Sequence, residues 1–476
     1  MRRSLLAIMV AATLLLAACG DSDDDGDDAS ADTTEAGASP TTAAPAETTA
    51  APAETTEPMT DTTAGGGAAG EASNIQAPGE CGMGTGEAAS GEPIKIGGIA
   101  TNVPGIDFTW ITGMTAAYFE CVNENGGING RPIEYIVEEE QIDPQQIAGL
   151  AAKLAEEDQV LGFVGNTSII DCSVNADYYT QQGYSLIIAG VDHACFTNAT
   201  YSAVNMGPYY SSLGGAQAAI RAGATGTMVI VTPNIPGVEL INAGVVAFAE
   251  ENGLEGISIT EDVPIADPAT LAQRLVQEAG EGGAVVLDFT GPAVLPLLQA
   301  IDQQGLTDTV IWASSTPPND PSVAEALSPN WNDKFLINAE FNPLDSGMPD
   351  QNHMNEIREQ YAPDINLSSF GQMGYLAGRI ATDALLGIEG DITKESVNEA
   401  FRGVTNFVTD ILCRPWYFDS TLSGNVSNNV DITVVPRDGV MVQSEDCFEI
   451  ADLPTPENLL AEIREKEQEL GLNTAQ

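Results

Sequence analysis

The chain has 476 residues, with 69 Asp and Glu against 16 Lys and Arg and a formal charge of -53. That balance repels phosphates and argues against nucleic acid or an anionic lipid surface as a partner. The length allows two lobes or domains of ordinary size.

Arg2 and Arg3 precede an apolar run from Leu5 to Leu16, which ends in Leu16-Ala17-Ala18-Cys19-Gly20. About 12 apolar residues are too few to span a bilayer as a stable helix, but they suit the core of a signal peptide. Small residues directly before a cysteine resemble a bacterial lipoprotein lipobox. The resemblance implies that residues 1–18 are removed and that Cys19 becomes a lipidated N-terminus on the outer face of the cell membrane. Two acyl chains anchor firmly, at roughly 0.8 kcal/mol per buried methylene. From Asp21 to about Glu80 the chain is acidic, then rich in Ala, Thr, Pro, Glu and Gly. Such a stretch buries too little apolar surface to offset its ordering entropy, so residues 19–80 are expected to be a disordered tether. Its r.m.s. reach is on the order of 40 Å.

From Ile94 short apolar runs alternate with helical periods. Ile94–Ile99 reads as a strand, Ile111–Asn125 as a helix stopped by Gly126-Gly127, and Ile133–Val137 as the next strand. Asp143-Pro144 opens a helix to about Glu157, with Asp as N-cap and Pro at the first helical position. Strands Val160–Val164 and Leu186–Ala189 follow. After Asn205 a second series begins with helix Tyr209–Ala222 and strands Met228–Val231, Ile257–Thr260, Val285–Phe289 and Val310–Ala313. Alternation of this kind predicts parallel sheets covered on both faces, hence an α/β fold of two doubly wound lobes. After Phe335–Ala339 the pattern is mostly helical, with short strands near Trp416–Phe418, Val430–Val435 and Val440–Val442. Pro456 to Leu470 reads as an amphipathic surface helix within a C-terminal segment 451–476.

Cys81, Cys121, Cys172, Cys195, Cys413 and Cys447 remain once Cys19 is set aside, and an even number in an exported chain suggests disulfides. Six cysteines allow 15 connectivities, and spacing does not choose among them. Pairing of neighbours in order, 81–121, 172–195 and 413–447, is the favoured arrangement. Without a CxxC spacing, and with two histidines in all, no metal site or cofactor is expected.

The segment Asn123-Glu124-Asn125-Gly126-Gly127-Ile128-Asn129-Gly130-Arg131-Pro132-Ile133, with Gly165-Asn166-Thr167-Ser168 after the third strand and Gly374-Tyr375-Leu376-Ala377 on a late helix, resembles the leucine/isoleucine/valine-type periplasmic binding proteins, the substrate-binding components of ABC transporters. The likeness runs from about residue 93 to about 445. It implies two lobes, 93–207 with 338–406 and 208–337 with 407–450, joined by crossings near 205–208, 335–339 and 405–410. Ligand would sit between the lobes, beyond the carboxyl ends of the strands.

The resemblance also implies site residues. In amino-acid-binding members a Ser after the third strand and the next loop hold the ligand carboxylate. Here these positions fall at Ser168, Ile169 and Gly190, although Ser168 would also serve as a plain helix cap. Asp192 stands where a Thr is common. A carboxylate there repels another carboxylate, which argues against an ordinary α-amino acid. The amino-group anchors of the second lobe correspond to Phe289-Thr290 and Ser314, with no acid at the latter. Strand alternation puts Asp288 and Phe289 on opposite faces, so at most one should face the cleft. Asp107, Phe108 and Trp110 occupy a loop that often brings an aromatic to the ligand, and Trp110 is equally a candidate core residue. Glu138–Glu140 reads as a solvated edge.

The expected function is capture of a small polar ligand, an amino acid or an amide-like or cationic relative, by a monomer that delivers it to ABC transporter permease subunits. The acids Asp107, Asp192 and Asp288 motivate the cationic option. A ligand-sensing subunit would use the same site. An exported hydrolase would need a nucleophile with a base, and the sequence has neither a G-x-S-x-G elbow nor an HExxH helix. Ser168 with His193 is the remaining pair of that kind.

Overall fold

In the computed structural model, which describes residues 74–472, the alternating pattern produces two sheets with helices on both faces. The expected signal segment, Cys19 and the expected tether up to residue 73 lie outside the described residues. In the first lobe β1 (Ile94–Val103), the short β2 (Ile106–Asp107), α1 (Thr109–Glu124), β3 (Ile133–Glu140), α2 (Pro144–Ala152), β4 (Gly162–Asn166), α3 (Asp171–Gln182), β5 (Leu186–Ile188) and β6 (Tyr201–Ala203) follow in turn. The strands run parallel in the order β3-β1-β4-β5-β6, and β2 folds back antiparallel on the end of β1.

The second lobe takes α4 (Gly207–Arg221), β7 (Met228–Pro233), α5 (Val238–Glu251), β8 (Gly256–Glu261), α6 (Pro268–Ala279), β9 (Ala284–Leu287), α7 (Gly291–Gln303), β10 (Ile311–Ser314), α8 (Pro321–Ala326) and β11 (Phe335–Ala339). The chain then returns to the first lobe as α9 (Pro349–Tyr361), α10 (Ser369–Leu386) and α11 (Lys394–Arg402), with α10 packed on α1. It ends with β12 (Val430–Arg437), β13 (Val440–Glu449) and α12 (Leu460–Leu470). The second sheet is parallel over β8-β7-β9-β10-β11, and β12 and β13 extend it antiparallel. Strands β4, β5 and β9 are buried along their whole length, as parallel strands covered on both faces must be.

The local signals act as their chemistry dictates. Asp143 accepts from the N–H groups of Gln145 (2.8 Å) and Gln146 (3.2 Å) and starts α2. Helix α1 stops at Gly126 and Gly127, with φ of 97° and 59°. A Cβ on Gly127 would stand 2.2 Å from the Arg131 carbonyl oxygen, so the turn admits no side chain there. Asn123 then holds both backbone groups of Ile133, at 2.9 and 2.6 Å, and sets the start of β3.

Disulfides join Cys81 to Cys121, Cys172 to Cys195 and Cys413 to Cys447, with Cα separations of 6.1, 5.1 and 6.0 Å. Cys81 and Cys121 also lie beside His353, but their bonded sulfurs leave no thiolates for a metal.

Several boundaries differ from the sequence reading. Residues 74–80, expected to belong to the tether, are held in place. The N–H groups of Ile75 and Gln76 donate to Asp383 (2.8 and 2.7 Å), and Asn74 exchanges two hydrogen bonds with Val408. The third crossing lies at Asn428-Asn429 rather than 405–410. Before it, Trp416 donates to the Ala203 carbonyl (2.8 Å) and Asn425 to that of Tyr201 (2.9 Å), so residues 404–428 cover the β6 edge. Trp416–Phe418 is no strand, since it makes a single bridge, Phe407 to Trp416. The last helix starts at Leu460 rather than Pro456 and buries Leu460, Ile463 and Glu467. Glu140 is no solvated edge. It is fully buried and accepts from the hydroxyls of Thr101 and Ser168 and the N–H of Ile142. No helix among the described residues is long and apolar enough to cross a membrane.

Candidate ligand cleft

Loops at the carboxyl ends of β1, β4 and β5 face loops after β7, β8, β9 and β10 across a cavity. It holds about 750 Å³ of atom-free space, part of it open to solvent. The crossings close its back through Asn205, Gly207, Pro208 and Glu340. At the mouth, Gly105 of the first lobe meets Val263 of the second. A Cβ built on Gly105 would lie 3.1 Å from Val263 Cγ1. Asn428 ties the crossings together by donating to the carbonyls of Val204 (3.2 Å) and Glu340 (3.0 Å).

Most of the lining is apolar, more so than a small polar ligand requires. Ile106, Phe108 and Ile111 come from the first lobe, Phe370 and Met373 from α10, and Pro233, Ile235, Val263 and Phe289 from the second lobe. Phe108 and Phe370 meet edge to face with centroids 5.7 Å apart. Among the polar groups, Thr167 is fully buried and its hydroxyl has no hydrogen-bond partner. Ser211 is held by Thr316, whose N–H donates to its hydroxyl at 2.8 Å.

Two acids face this space. Asp288 follows the end of β9, is 7% exposed, and accepts from the Ser315 hydroxyl at 2.6 Å. Burial pushes its carboxyl up to about 6, against the opposing pull of the Ser315 and Ser212 hydroxyls. Glu340 follows β11, is 3% exposed, and accepts from the Met206 N–H at 2.6 Å. Burial pushes it up to about 8, although the Met206 N–H and the Thr316 hydroxyl favour its charged form. Among the described residues that line the cavity there is no Lys, Arg or His.

The residues chosen from the sequence divide sharply. Gly190, Asp288 and Thr290 line the cavity. Gly190 does so without offering its backbone, because Asn205 takes both its N–H (2.7 Å) and its carbonyl (2.8 Å). A side chain at Gly190 would also strike Phe196, 2.7 Å from a built Cβ. Ile169 and Asp192 face an adjoining recess instead, which shares Val191, Pro208, Ile235 and Asp288 with the cavity. Asp192 is occupied as a cap, accepting from Ser173 N–H (2.8 Å) and Ala194 N–H (3.0 Å). Ser168 is a cap too. Its hydroxyl accepts from the N–H groups of Ile170 and Asp171 and donates to Glu140 (2.8 Å). It makes no pair with His193, whose ring lies against Tyr209 and Tyr210.

Asp107 is exposed and accepts from the N–H and hydroxyl of Thr109 (2.9 and 2.6 Å). Trp110 is half-buried on α1 and does not line the cavity, and the aromatic that does is Phe108. Ser314 is fully buried and donates to the Leu287 carbonyl (2.7 Å). Asp288 and Phe289 both face the cavity, contrary to the alternation argument, because β9 ends at Leu287 and the pleat no longer governs them. Glu340, Thr167, Asn205 and Ser211 were missed. Glu340 carried a usable signal, since it is an acid directly after an apolar strand at a crossing, the same kind of position as Asp288.

A family model described as periplasmic binding protein matches residues 93–439. Among solved structures, a fatty acid ABC transporter substrate-binding protein from Thermomonospora curvata is 21% identical, with a TM-score of 0.64 over 77% of this chain and 94% of its own. A branched chain amino acid ABC transporter protein from Thermus thermophilus with bound valine is 14% identical, with a TM-score of 0.66 over 79% and 100%. A solute binding protein from R. palustris in complex with benzoate is 16% identical, with a TM-score of 0.60 over 75% and 96%. No curated protein matches the sequence.

Proposed function

Because the chain belongs to the periplasmic binding protein family, we propose that it captures a small solute between its two lobes outside the cytoplasm and delivers it to an ABC transporter. The observation that carries this reading is the cavity, which both lobes and the crossings line together. Relative movement of the lobes therefore opens and closes the whole site, and ligand stabilises the closed state through its contacts with both sides. Two of the structural relatives with named ligands hold valine and benzoate, and a third is named for fatty acids, so the fold serves ligands of many shapes.

Gly190, Asp288 and Thr290, with Glu340, Thr167 and Phe108, are the proposed ligand contacts. Lipidation of Cys19 and the acidic tether would keep a monomeric receptor near its permease while it samples solute. Replacing Cys19 with Ala should release the protein from membranes into the medium. A thermal-shift screen of small solutes tests capture itself. A ligand at 100 times its dissociation constant adds about 2.7 kcal/mol to stability. Small-angle scattering of the same complex should show the lobes closing. Binding that leaves the scattering unchanged would sink the capture mechanism.

A further inference from the structure

Resting on the capture reading, the chemistry of the cavity narrows the ligand. We propose that the cavity takes a protonated amine on an apolar body, its ammonium drawn by the buried carboxyls of Asp288 and Glu340. Both acids end strands of the same sheet, with β10 between them, and both are more than nine-tenths buried. A carboxyl in such a place is costly to ionise without a cation. The described residues around it supply none. His193 lies in the adjoining recess beside Asp192, and burial lowers its pKa. Asp431, which feels the charge of Glu340, is fully buried, and the guanidinium of Arg221 acts on Asp431 without lining the cavity.

An anionic ligand would meet two acids and no counter-charge. It would depend on helix N-termini, and at α4 the Met206 N–H is already given to Glu340. An ammonium supplies the missing charge. The free hydroxyl of Thr167 offers a further acceptor, and Phe108, Phe289 and Phe370 suit an aliphatic or aromatic body and can also face a cation. The chain's charge of -53 draws cations toward the mouth.

Proton exchange separates the ligand classes. Glu340, pushed up to about 8, is mostly protonated near neutral pH, so a cation beside it expels a proton. An anion would instead add a proton to Asp288. The test is titration calorimetry of the full chain near pH 7, in phosphate and in HEPES. The probes are hexylamine, hexanoate and hexanamide, together with phenethylamine, phenylacetate and phenylacetamide.

The expected result is an amine that binds at least about 10-fold tighter than its matched acid and amide and releases protons. Glu340→Gln should abolish the release. With Asp288→Asn it should weaken the amine more than about 30-fold. The proton count on the unaltered protein stands even where a variant folds poorly. Preference for a carboxylate or amide, proton uptake, amine binding untouched by both substitutions, or silence across both series overturns the proposal. The capture mechanism fails on a different result, namely binding without lobe closure.

Discussion

On the first lobe Asp107, Glu140 and Asp192 each accept from two or three nearby N–H or O–H donors. On the second, Asp288 and Glu340 are buried with fewer donors, and Asp431 of β12 is buried completely. Asp107 and Asp192 stand at turns and helix starts, where backbone N–H groups are unpaired and an acid satisfies them, while Glu140 ends β3 and is met by the hydroxyls of Thr101 and Ser168 and the N–H of Ile142. The second group stands beyond or inside sheet strands, where the ladder has consumed the backbone donors. Burial raises all three, and for Asp431 the charge of Glu340 raises it further while Asn338 and Arg221 oppose. The donors within reach, not residue type, therefore separate the structural acids from Asp288 and Glu340, which face the cavity.

The largest effect expected from this contrast is at Glu140. Glu140→Ala would orphan the hydroxyls of Thr101 and Ser168 and the N–H of Ile142 in a buried site. Urea unfolding should show a loss of at least about 4 kcal/mol. A loss under about 1 kcal/mol would mean that the first lobe's acids are as dispensable as surface charges.

Glu340 should behave in the opposite sense. Its folded value, about 8, lies above the ordinary 4.5, so its contribution to stability is intact below about pH 4.5 and is lost as pH rises through 8. Between pH 5 and pH 8 the unaltered protein should lose roughly 3–4 kcal/mol through this group. Glu340→Gln should flatten that part of the curve and be the more stable protein at pH 8. Asp431 and Asp288, raised in the same direction, would leave a residual slope. An unchanged pH profile in the variant would break the comparison.

The fold was legible because the periodicities were strong. Alternating strands and helices, the Asp143-Pro144 cap and the Gly126-Gly127 stop are local chemistry, and local chemistry is what a sequence displays. The cleft was less legible. Asp107, Ser168 and Asp192 stand in the right loops, yet their side chains turn back to cap their own elements, a choice made by N–H groups within three residues or across a disulfide. Glu340 escaped notice because its exposure to the cavity depends on three crossings meeting, which no single window of sequence contains. The third crossing was misplaced for a related reason. Residues 404–428 lack a period and are held by single side chains such as Trp416 and Asn425.

The disulfide between Cys172 and Cys195 belongs to the first lobe's side of the contrast, since it clips α3 to the loop that carries Asp192. Replacing both cysteines with Ser should cost about 3 kcal/mol, the entropy of a 23-residue separation in the unfolded chain. If Asp192 is held by its own hydrogen bonds to Ser173 and Ala194, ligand affinity should change less than stability does. An affinity that falls in step with stability would show that the disulfide, not the caps, arranges this side of the cleft.

The smallest effect is expected at Asp107, and it is the sharpest check on what an acid near a cleft means. Its carboxylate is exposed and bonded to Thr109 just before α1 takes shape. Asp107→Ala should remove about 0.5–1 kcal/mol of helix-start stabilisation. It should leave affinity for any ligand of the cavity within about twofold, because water screens an exposed charge that makes no contact there. Asp288 differs from it in burial rather than in chemistry, so the two substitutions measured side by side isolate burial as the cause. Equal losses of affinity would place the recognition charge at the mouth and remove the reason for setting the second lobe's acids apart.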